Sequence, residues 1–238
     1  MTAYADTDKA VRAIKAGATD FIPKPWEKEK LLATLSSGMK LRRSRTEINL
    51  LKEQVEVLSN ATAGGSEEII IGDSPVMQQV FSTVEKLRDT DANILILGEN
   101  GTGKDVIARM LYRNSPRYGK PFVTIDLGSI PEQLFESELF GYEKGAFTDA
   151  RKAKVGRMEV ATGGTLFLDE IGNLSLPMQA KLLTAIEKRC ISRLGSTQAT
   201  PIDVRLICAT NADIRRLVDE GDFRQDLLYR INTIELHI

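Results

Sequence analysis

A glycine-rich turn that joins an apolar segment to a helical segment constrains this chain more than any other feature. The apolar segment covers residues 93–97, and the turn comprises Gly98, Glu99, Asn100, Gly101, Thr102, Gly103, Lys104 and Asp105. Glycines let the backbone curl so that several N–H groups point at one anion, and the N-terminus of the following helix adds positive potential. A lysine at the end of such a turn reaches the β and γ phosphates of a nucleotide. The spacing therefore predicts a phosphate-binding loop for ATP.

A pair of acids follows a second apolar segment. Residues 163–168 are two glycines, a threonine and an apolar run, and Asp169 and Glu170 come next. Open parallel sheets bind ligands at the carboxyl ends of their strands, which is where this segment delivers its two carboxylates. We expect Asp169 to hold Mg²⁺ and Glu170 to polarise the attacking water. Asp105 stands where a Ser or Thr usually binds the metal, so that ligand must be supplied differently.

Three further polar residues are candidates for sensing the γ phosphate. Asn211 follows an apolar segment at 204–209, and Arg224 and Arg230 lie six residues apart. This spacing does not place the two arginines on one helical face at i, i+4, so we expect them to serve different contacts. Phosphoryl transfer often uses such an arginine to stabilise the transition state. The sequence pattern alone does not decide between this role and an ordinary structural role for any of the three residues.

Apolar segments that alternate with helical stretches predict an α/β fold for the larger part of the chain. The strand candidates are residues 93–97, 122–127, 165–168 and 204–209. Continuous apolar strands of this kind are typical of a parallel sheet with helices on both faces.

The first 38 residues have a different organisation. They predict a helix over residues 5–17, a short strand over 20–22 and a second helix over 27–37. These elements are too small to bury a core of their own. We therefore interpret them as the end of a domain whose beginning lies upstream.

Residues 39–60 predict a long polar helix with a short apolar seam at heptad a and d positions. Two arrangements remain open, namely a short coiled coil between two copies and a linker helix that lies on its own domain. Residues 60–66 predict a flexible linker. The seam consists of Leu41, Ile48, Leu51, Val55 and Leu58.

Bulk properties exclude several classes of protein. The 238 residues have a formal net charge of −1, which gives no overall basic field for nucleic acid or an anionic membrane. His237 is the one histidine, which argues against histidine-based catalysis, and Cys190 and Cys208 lack metal-ligand spacing. No apolar run approaches the roughly 20 residues of a membrane span, and no signal peptide is present. We expect a cytoplasmic protein without membrane contact.

Five ordered motifs closely resemble the AAA+ module of NtrC-type bacterial enhancer-binding proteins. They are the phosphate loop and residues 138–150, 163–172, 209–211 and 223–232, so the resemblance covers about residues 67–238. It implies a P-loop ATPase that forms a homo-oligomer. The oligomer ranges from a dimer to a hexameric ring, and the ring is the usual form. Such rings use hydrolysis to remodel closed complexes of sigma-54 RNA polymerase into open ones.

The resemblance also implies roles for individual residues. Asn211 matches the first sensor, and Arg224 and Arg230 match fingers that act across a subunit boundary. The segment that lines the adenine matches Ile70, Ile71 and Gly72. The loop that touches sigma-54 matches Gly145, Ala146, Phe147, Thr148, Asp149 and Ala150, with Phe147 and Thr148 as its contact residues.

Three positions depart from the family pattern. Asp149 stands where the family usually has glycine, which permits backbone angles that aspartate adopts less readily. Asp126 stands where an asparagine usually restrains the catalytic Glu170, and two carboxylates share such a contact only if one is protonated or a cation intervenes. Asp105 replaces a common glutamate, which is a mild change. We hypothesise that Asp126 still gates Glu170 and that the loop still engages sigma-54.

Residues 1–38 resemble the last third of a response-regulator receiver domain, which has a flavodoxin-like fold. Thr2 and Phe21 match its switch residues, and Lys24 matches the lysine of the Lys-Pro pair that follows its final strand. The phosphorylatable aspartate would lie upstream, so a cognate histidine kinase would act through the absent part of the receiver. The resemblance also implies that the ATPase lid and a DNA-binding domain follow residue 238, so DNA contact would need a domain outside this chain.

Two other functions remain open. The chain is alternatively a nucleotide-binding dimerisation and interaction fragment that does not turn ATP over. Another kind of AAA+ remodeller is disfavoured because generic members lack the loop at residues 145–150.

Overall fold

The structure is a computed structural model of the 238-residue chain, and it describes residues 12–20, 22, 25, 27–63 and 74–238. The chain divides into two compact units, Met1–Lys52 and Glu53–Ile238. Six of the predicted site residues lie outside the described residues, and their predicted roles stay predictions: Thr2, Phe21, Lys24, Ile70, Ile71 and Gly72.

The first unit departs from its predicted elements. Residues 12–15 are helical, in agreement with the end of the predicted helix over 5–17. The predicted strand over 20–22 is wrong, because Asp20 and Ile22 have no strand conformation.

A single 36-residue helix, α1 (Lys28–Ala63), replaces two predicted helices and most of the predicted flexible linker. Gly38 does not end it, because one glycine costs a helix only about 1 kcal/mol against the good helix formers around it. The helix also continues past residue 60 to Ala63, where linker was predicted. Its described seam residues Leu41, Ile48 and Leu51 are exposed, and so is Val55 in the second unit.

The remaining elements belong to the second unit. Its helices are α2 (Pro75–Lys86), α3 (Lys104–Arg113), α4 (Glu132–Leu139), α5 (Arg157–Val160), α6 (Leu176–Lys188), α7 (Ile214–Glu220) and α8 (Gln225–Ile231). Its strands are β1 (Ile94–Leu97), β2 (Phe122–Asp126), β3 (Gly141–Tyr142), β4 (Lys154–Val155), β5 (Thr165–Asp169), β6 (Cys190–Ser192), β7 (Ala199–Pro201), β8 (Arg205–Thr210) and β9 (Ile234–His237).

Five of these strands form one sheet in the order β2-β5-β8-β1-β9, and every neighbouring pair is parallel. The predicted parallel sheet is therefore confirmed. The sequence analysis missed β9, which lies at the edge beside β1, and two small antiparallel pairs, β3–β4 and β6–β7. These missed strands are two to four residues long, too short to show a periodic pattern.

The sheet is buried on both sides. Ile94 and Ile96 point into a core cluster with Ile107 and Leu111 of α3. Leu95 alternates to the opposite face and is equally inaccessible to solvent. A strand buried on both faces reads as a continuous apolar run, which is why β1 was recognisable from sequence.

No helix in the described ranges has the length and apolar character that crossing a membrane requires.

Close backbone approach at the start of β5 gives the first testable prediction. A Cβ on Gly164 would lie 2.0 Å from the carbonyl oxygen of Pro121, which itself accepts a hydrogen bond from the Thr165 N–H. Gly164→Ala therefore displaces backbone in the strand that delivers Asp169, and we expect a loss of about 1–3 kcal/mol of stability or more. Thermal unfolding followed by circular dichroism measures it.

Gly38→Ala is the matched control, because a Cβ there meets nothing within 4 Å. Alanine favours the helix at this position by about 1 kcal/mol. The same midpoint for Gly164→Ala and the unmodified protein would contradict the role assigned to close approach at Gly164.

Candidate functional site

The phosphate loop leaves β1 in a conformation that glycine makes possible. Gly101 and Gly103 have φ values of +82° and +84°, and α3 begins directly after the second of them. The Gly98 N–H donates to the Thr210 carbonyl oxygen at 3.3 Å, so the ladder between β1 and β8 continues into the loop. The first backbone N–H groups of α3 therefore point towards the space above the loop, as anion binding requires.

Lys104 lies across this loop. Its side chain is almost fully buried, and Nζ donates to the carbonyl oxygens of Gly98 and Glu99, each at 3.0 Å. Thr102 Oγ1 also donates to the Glu99 carbonyl at 2.9 Å. Asp105 lies in the exposed first turn of α3. The loop thus holds its one ammonium group close to the backbone that would surround a phosphate.

The acidic pair ends β5 at the same edge of the sheet. Asp169 pairs in register with Asp126 at the end of β2, and the Leu127 N–H donates to the Asp169 carbonyl at 3.0 Å. Burial raises the pKa of Asp169, and the nearby charges of Glu170 and Asp126 raise it further. The Glu170 N–H, which donates to Asp169 Oδ1 at 2.9 Å, and the Lys104 ammonium oppose this rise in pKa.

Glu170 combines a strained backbone with an unpaired carboxylate oxygen. Its φ and ψ are +55° and +46°, in the left-handed region that costs a non-glycine residue about 1–2 kcal/mol. Its Oε2 is buried and has no hydrogen-bond partner among the described residues. Both features are unfavourable for stability and are typical of a group that a functional site holds ready for another partner.

Asp126 lies beside Glu170 but directs one oxygen at its own turn. Asp126 Oδ1 accepts from the Gly128 N–H at 2.9 Å. A Cβ on Gly128 would lie 3.3 Å from Asp126 Oδ1, 3.2 Å from Asn173 Nδ2 and 3.7 Å from Glu170 Cβ. Asp126, Glu170 and Asn173 therefore surround one small residue. The sequence analysis missed Asn173, which a short 3-10 turn brings back towards the acids three residues after Glu170.

These residues fit a magnesium nucleotide. Mg²⁺ in such sites uses one or two carboxylates together with phosphate oxygens and water. Burial is the main cause of the raised pKa of Asp169, the charges of Glu170 and Asp126 add to it, and a cation there would relieve that repulsion. Within the ranges that the structure describes, no cluster of three or more His, Cys, Asp or Glu forms a metal cage, so Asp169 would act together with the phosphates.

Asn211 reaches the loop directly. It follows β8, and its Nδ2 donates to Oδ1 of Asn100 at 2.9 Å. The register that pairs Leu97 with Thr210 places these two loops side by side. The structure therefore brings Lys104, Asp169, Glu170 and Asn211 to one edge of the sheet, as the sequence predicted from separate segments.

The two arginines do not join this cluster. Arg224 precedes α8 and forms a two-bond ion pair with Asp226 at 3.0 Å and 2.6 Å. Arg230 is exposed near the end of α8, and its carbonyl accepts from Asn93 at 3.0 Å. Asn93 precedes β1, so Arg230 lies at the amino end of the strands, opposite the phosphate loop. The prediction that the two arginines make different contacts agrees with this placement.

The segment from Gly145 to Ala150 forms the tip of the β3–β4 hairpin. It is closed by hydrogen bonds from Gly145 N–H to the Ala150 carbonyl at 2.8 Å and from Ala150 N–H to the Phe147 carbonyl at 3.0 Å. Phe147 is exposed and makes an edge contact with the ring of Tyr142 at 4.8 Å. Thr148 and Asp149 are also exposed.

Asp149 needs no unusual backbone in this loop. Among the described residues, only Glu170 and Arg189 are non-glycine residues with positive φ. The backbone angles that only glycine adopts readily are therefore not used at Asp149 in this conformation. The left-handed residue of this loop is Gly145, whose φ is +85°. What Asp149 adds is a negative charge at an exposed tip.

A buried ion pair fastens the base of this loop. Arg193, which follows β6, donates to both carboxylate oxygens of Glu159 at 2.9 Å and 2.6 Å and approaches Glu143 at 3.4 Å. Burial alone would lower the pKa of Arg193, but the hydrogen bonds that Arg193 donates to Glu159 and the charges of Glu159 and Glu143 raise it. No motif in the sequence links Arg193 with Glu159, which lie 34 residues apart.

The strain at Glu170 gives the second testable prediction. Glu170→Gly removes both the left-handed penalty and the buried unpaired oxygen, but glycine also gives the unfolded chain more conformational entropy, so we expect a net gain of about 1 kcal/mol. In a unit of this size the gain corresponds to a rise of about 2–4 °C in the midpoint of thermal unfolding.

Arg189→Gly is the matched control, because Arg189 has a φ of +47° at the end of α6 and lies outside the acid cluster. We expect a similar gain in midpoint from Arg189→Gly. A lower midpoint for Glu170→Gly would show that the Glu170 side chain stabilises the fold.

Comparison with known proteins places the chain in a family. A family described as the Sigma-54 interaction domain matches residues 70–237. The chain is 40% identical over 238 residues to the DNA-binding transcriptional regulator NtrC of Proteus hauseri, covering 100% of this chain and 48% of the relative. It is 44% identical over 236 residues to the transcriptional regulatory protein ZraR of Klebsiella oxytoca, covering 99% and 51% respectively.

The crystal structures of NtrX from Brucella abortus are similar throughout the chain. The complex with ADP has a TM-score of 0.68 at 30% identity over 99% of this chain and 50% of that one. The complex with ATP has a TM-score of 0.67 at 30% identity over 100% and 51%. The predicted AAA+ type of α/β fold is thus confirmed. The chain spans about half the length of the curated relatives it matches. It belongs to the sigma-54 interaction domain family.

Proposed function

We propose that the chain is the ATP-hydrolysing part of a transcriptional activator that remodels sigma-54 RNA polymerase. The observation that carries the proposal is the convergence of Lys104, Asp169, Glu170 and Asn211 at the carboxyl edge of one parallel sheet. Family membership supports sigma-54 as the partner class. Related NtrX structures contain ADP and ATP, which supports an adenine nucleotide as the ligand.

Each residue of this edge has a defined task in the proposed reaction. The N–H groups at the start of α3 and the Lys104 ammonium bind the β and γ phosphates. Asp169 would hold a magnesium ion, which would supply positive charge to the phosphates. The oxygen of water attacks the γ phosphorus, and the bond from that phosphorus to the bridging oxygen of ADP breaks. The products are ADP and inorganic phosphate.

Glu170 is the residue that orients the attacking water and accepts its proton. Its Oε2 is buried and accepts no hydrogen bond in the described structure, so no competing donor occupies this oxygen. Asp126 would gate this carboxylate in place of the asparagine that the family usually carries. Asn173 adds an amide to the gate, because a Cβ on Gly128 would lie 3.2 Å from Asn173 Nδ2 and 3.3 Å from Asp126 Oδ1.

Arg224 and Arg230 complete the site from a neighbouring copy in a ring. Arg230 lies at the amino end of the sheet, away from Lys104 of its own chain. Arg224 must leave its ion pair with Asp226 to contact a nucleotide. That pair is exposed, and exposed pairs contribute little stability, so breaking it costs little.

The exposed tip at Phe147 and Thr148 is the proposed contact with sigma-54. Its position on a hairpin away from the sheet leaves both side chains accessible. Control would come from the receiver that residues 1–38 resemble, acting with a cognate histidine kinase in the cytoplasm. Gln54 of α1 donates to the Val160 carbonyl at 3.2 Å, which ties the end of that helix to α5. DNA would be bound by a domain outside this chain.

A second candidate function is a dimerisation and interaction fragment that binds nucleotide without turnover. The exposed apolar residues Leu41, Ile48, Leu51 and Val55 on α1 favour it. ATPase rate against protein concentration separates the two functions. Turnover that rises with concentration and is lost in Arg224→Ala or Arg230→Ala supports the ring, whereas absent turnover at every concentration supports the fragment.

The third testable prediction separates binding from hydrolysis. Lys104→Ala removes the phosphate-facing ammonium, and we expect it to abolish ATP binding measured by calorimetry. Glu170→Gln keeps the shape of the side chain but removes its basicity, and we expect near-normal ATP affinity with turnover reduced about 100-fold or more. Normal turnover by Glu170→Gln would show that another residue accepts the proton of the attacking water.

The fourth testable prediction concerns the loop tip in a protein extended to the length of its relatives. Thr148→Ala removes an exposed hydroxyl at the proposed contact, so we expect ATPase activity to persist while binding to sigma-54 and open-complex formation are lost. Lys152→Ala, which changes an exposed residue just beyond the tip, is the control and should retain both. Normal remodelling by Thr148→Ala would contradict the assigned contact.

A further inference from the structure

One side chain of the phosphate loop is paired with the proposed sensor. Asn100 Oδ1 accepts a hydrogen bond from Asn211 Nδ2 at 2.9 Å, although the two residues are 111 positions apart in sequence. We infer that Asn100 is a positioning residue that sets the direction of the Asn211 amide towards a nucleotide γ phosphate. The inference rests on the proposed ATPase function and adds a residue to it.

The backbone brings the two residues together but does not orient the Asn211 side chain. Leu97 pairs with Thr210, and Gly98 N–H donates to the Thr210 carbonyl at 3.3 Å. Thr210 Oγ1 accepts from the Ala212 N–H at 3.1 Å, which fixes the course of the chain around Asn211. The side chain of Asn211 is exposed, and the terminal torsion of an asparagine is broad and roughly two-fold. A hydrogen bond is therefore needed to distinguish its two ends.

The contact with Asn100 selects the end that a phosphate requires. An amide nitrogen carries two N–H donors, and phosphate oxygens only accept. With one N–H given to Asn100, the second N–H of Asn211 remains free to donate. Asn100 is itself an amide, and in this structure it faces Asn211 with its acceptor, Oδ1, rather than with its Nδ2 donor. The pair therefore holds an N–H donor of Asn211 at the loop, where the γ phosphate of ATP would bind.

Two other acceptors in the loop hold Lys104 and Thr102 rather than Asn211. Lys104 Nζ donates to the carbonyls of Gly98 and Glu99, and Thr102 Oγ1 also donates to Glu99. Among the loop contacts that the structure describes, the Asn100 side chain is the acceptor that reaches Asn211. A change at position 100 therefore acts on the sensor without removing the bonds that hold the lysine.

A double-mutant cycle on nucleotide affinity tests the inference. Dissociation constants for ADP and for the slowly hydrolysed analogue ATPγS are measured by calorimetry for the unmodified chain, Asn100→Ala, Asn211→Ala and the double variant. We expect each single variant to weaken ATPγS about fivefold, the size of one hydrogen bond, with ADP affinity unchanged. The double variant should bind ATPγS no more weakly than Asn211→Ala alone.

Thr102→Val is the matched control, because it removes a hydrogen bond in the same loop that does not involve Asn211. Its effect should add to that of Asn211→Ala. Asn100→Asp keeps the acceptor, so Asn211→Ala should have the same effect in that background as in the unmodified chain. The acid lowers affinity for both nucleotides through its charge.

Three results would overturn the inference while the proposed function stands. They are additive effects of Asn100→Ala and Asn211→Ala, equal weakening of ADP and ATPγS by Asn100→Ala, and unchanged ATPγS affinity in Asn211→Ala. The second result would show that Asn100 only shapes the loop. Failure of the unmodified chain to bind either nucleotide would overturn both the inference and the proposed ATPase.

Discussion

The parallel register of β2, β5, β8 and β1 is the constraint on which the rest of the site depends. It brings the ends of four buried strands to one edge, and the backbone ladder continues past the strands into the loops. Gly98 bonds to Thr210 at 3.3 Å, and Leu127 bonds to Asp169 at 3.0 Å. The glycine-rich loop, the acids and Asn211 are therefore positioned by main-chain hydrogen bonds rather than by long side chains. Rigid strand ends hold functional groups more accurately than free loops do.

The same edge concentrates features that oppose folding. Asp169, Glu170 and Asp126 place three carboxylates near one another, and the pKa of Asp169 rises through burial and this repulsion. Glu170 adds a left-handed backbone and a buried oxygen without a partner in the described structure. The left-handed backbone and the unpaired oxygen each cost about 1–3 kcal/mol, which is a substantial share of the 5–15 kcal/mol by which a domain is stable. The doubly buried sheet supplies the stability that such a site requires.

The parts of the structure that can be predicted from the sequence are those set by residue types within one short segment. Lys104 and Asp169 stand in short segments whose glycines, apolar runs and acids have a physical meaning by themselves. Asn173 and the Asn100–Asn211 pair depend on a 3-10 turn and on strand register, which exist only after the sheet has formed. The continuity of α1 across Gly38 was mispredicted because one glycine is a weak helix terminator when its neighbours favour helix. β9 was not predicted because a strand of four residues at a sheet edge is too short to show a periodic pattern of apolar residues.

The base of the loop at Gly145 is fastened unequally on its two sides. The Arg193–Glu159 pair is buried, with side-chain exposures of 7% and 6%, and breaking such a pair costs about 3–5 kcal/mol. On the other side, Lys154 pairs with Glu138 of α4 at 2.5 Å, with exposures of 40% and 29%. An exposed pair of this kind contributes about 0–1 kcal/mol. Because α4 connects the end of β2 at Asp126 to the hairpin, the more weakly held side of the loop is the side joined to the acids. A displacement of the hairpin along α4 therefore meets less resistance than one that separates it from the β6–β7 pair.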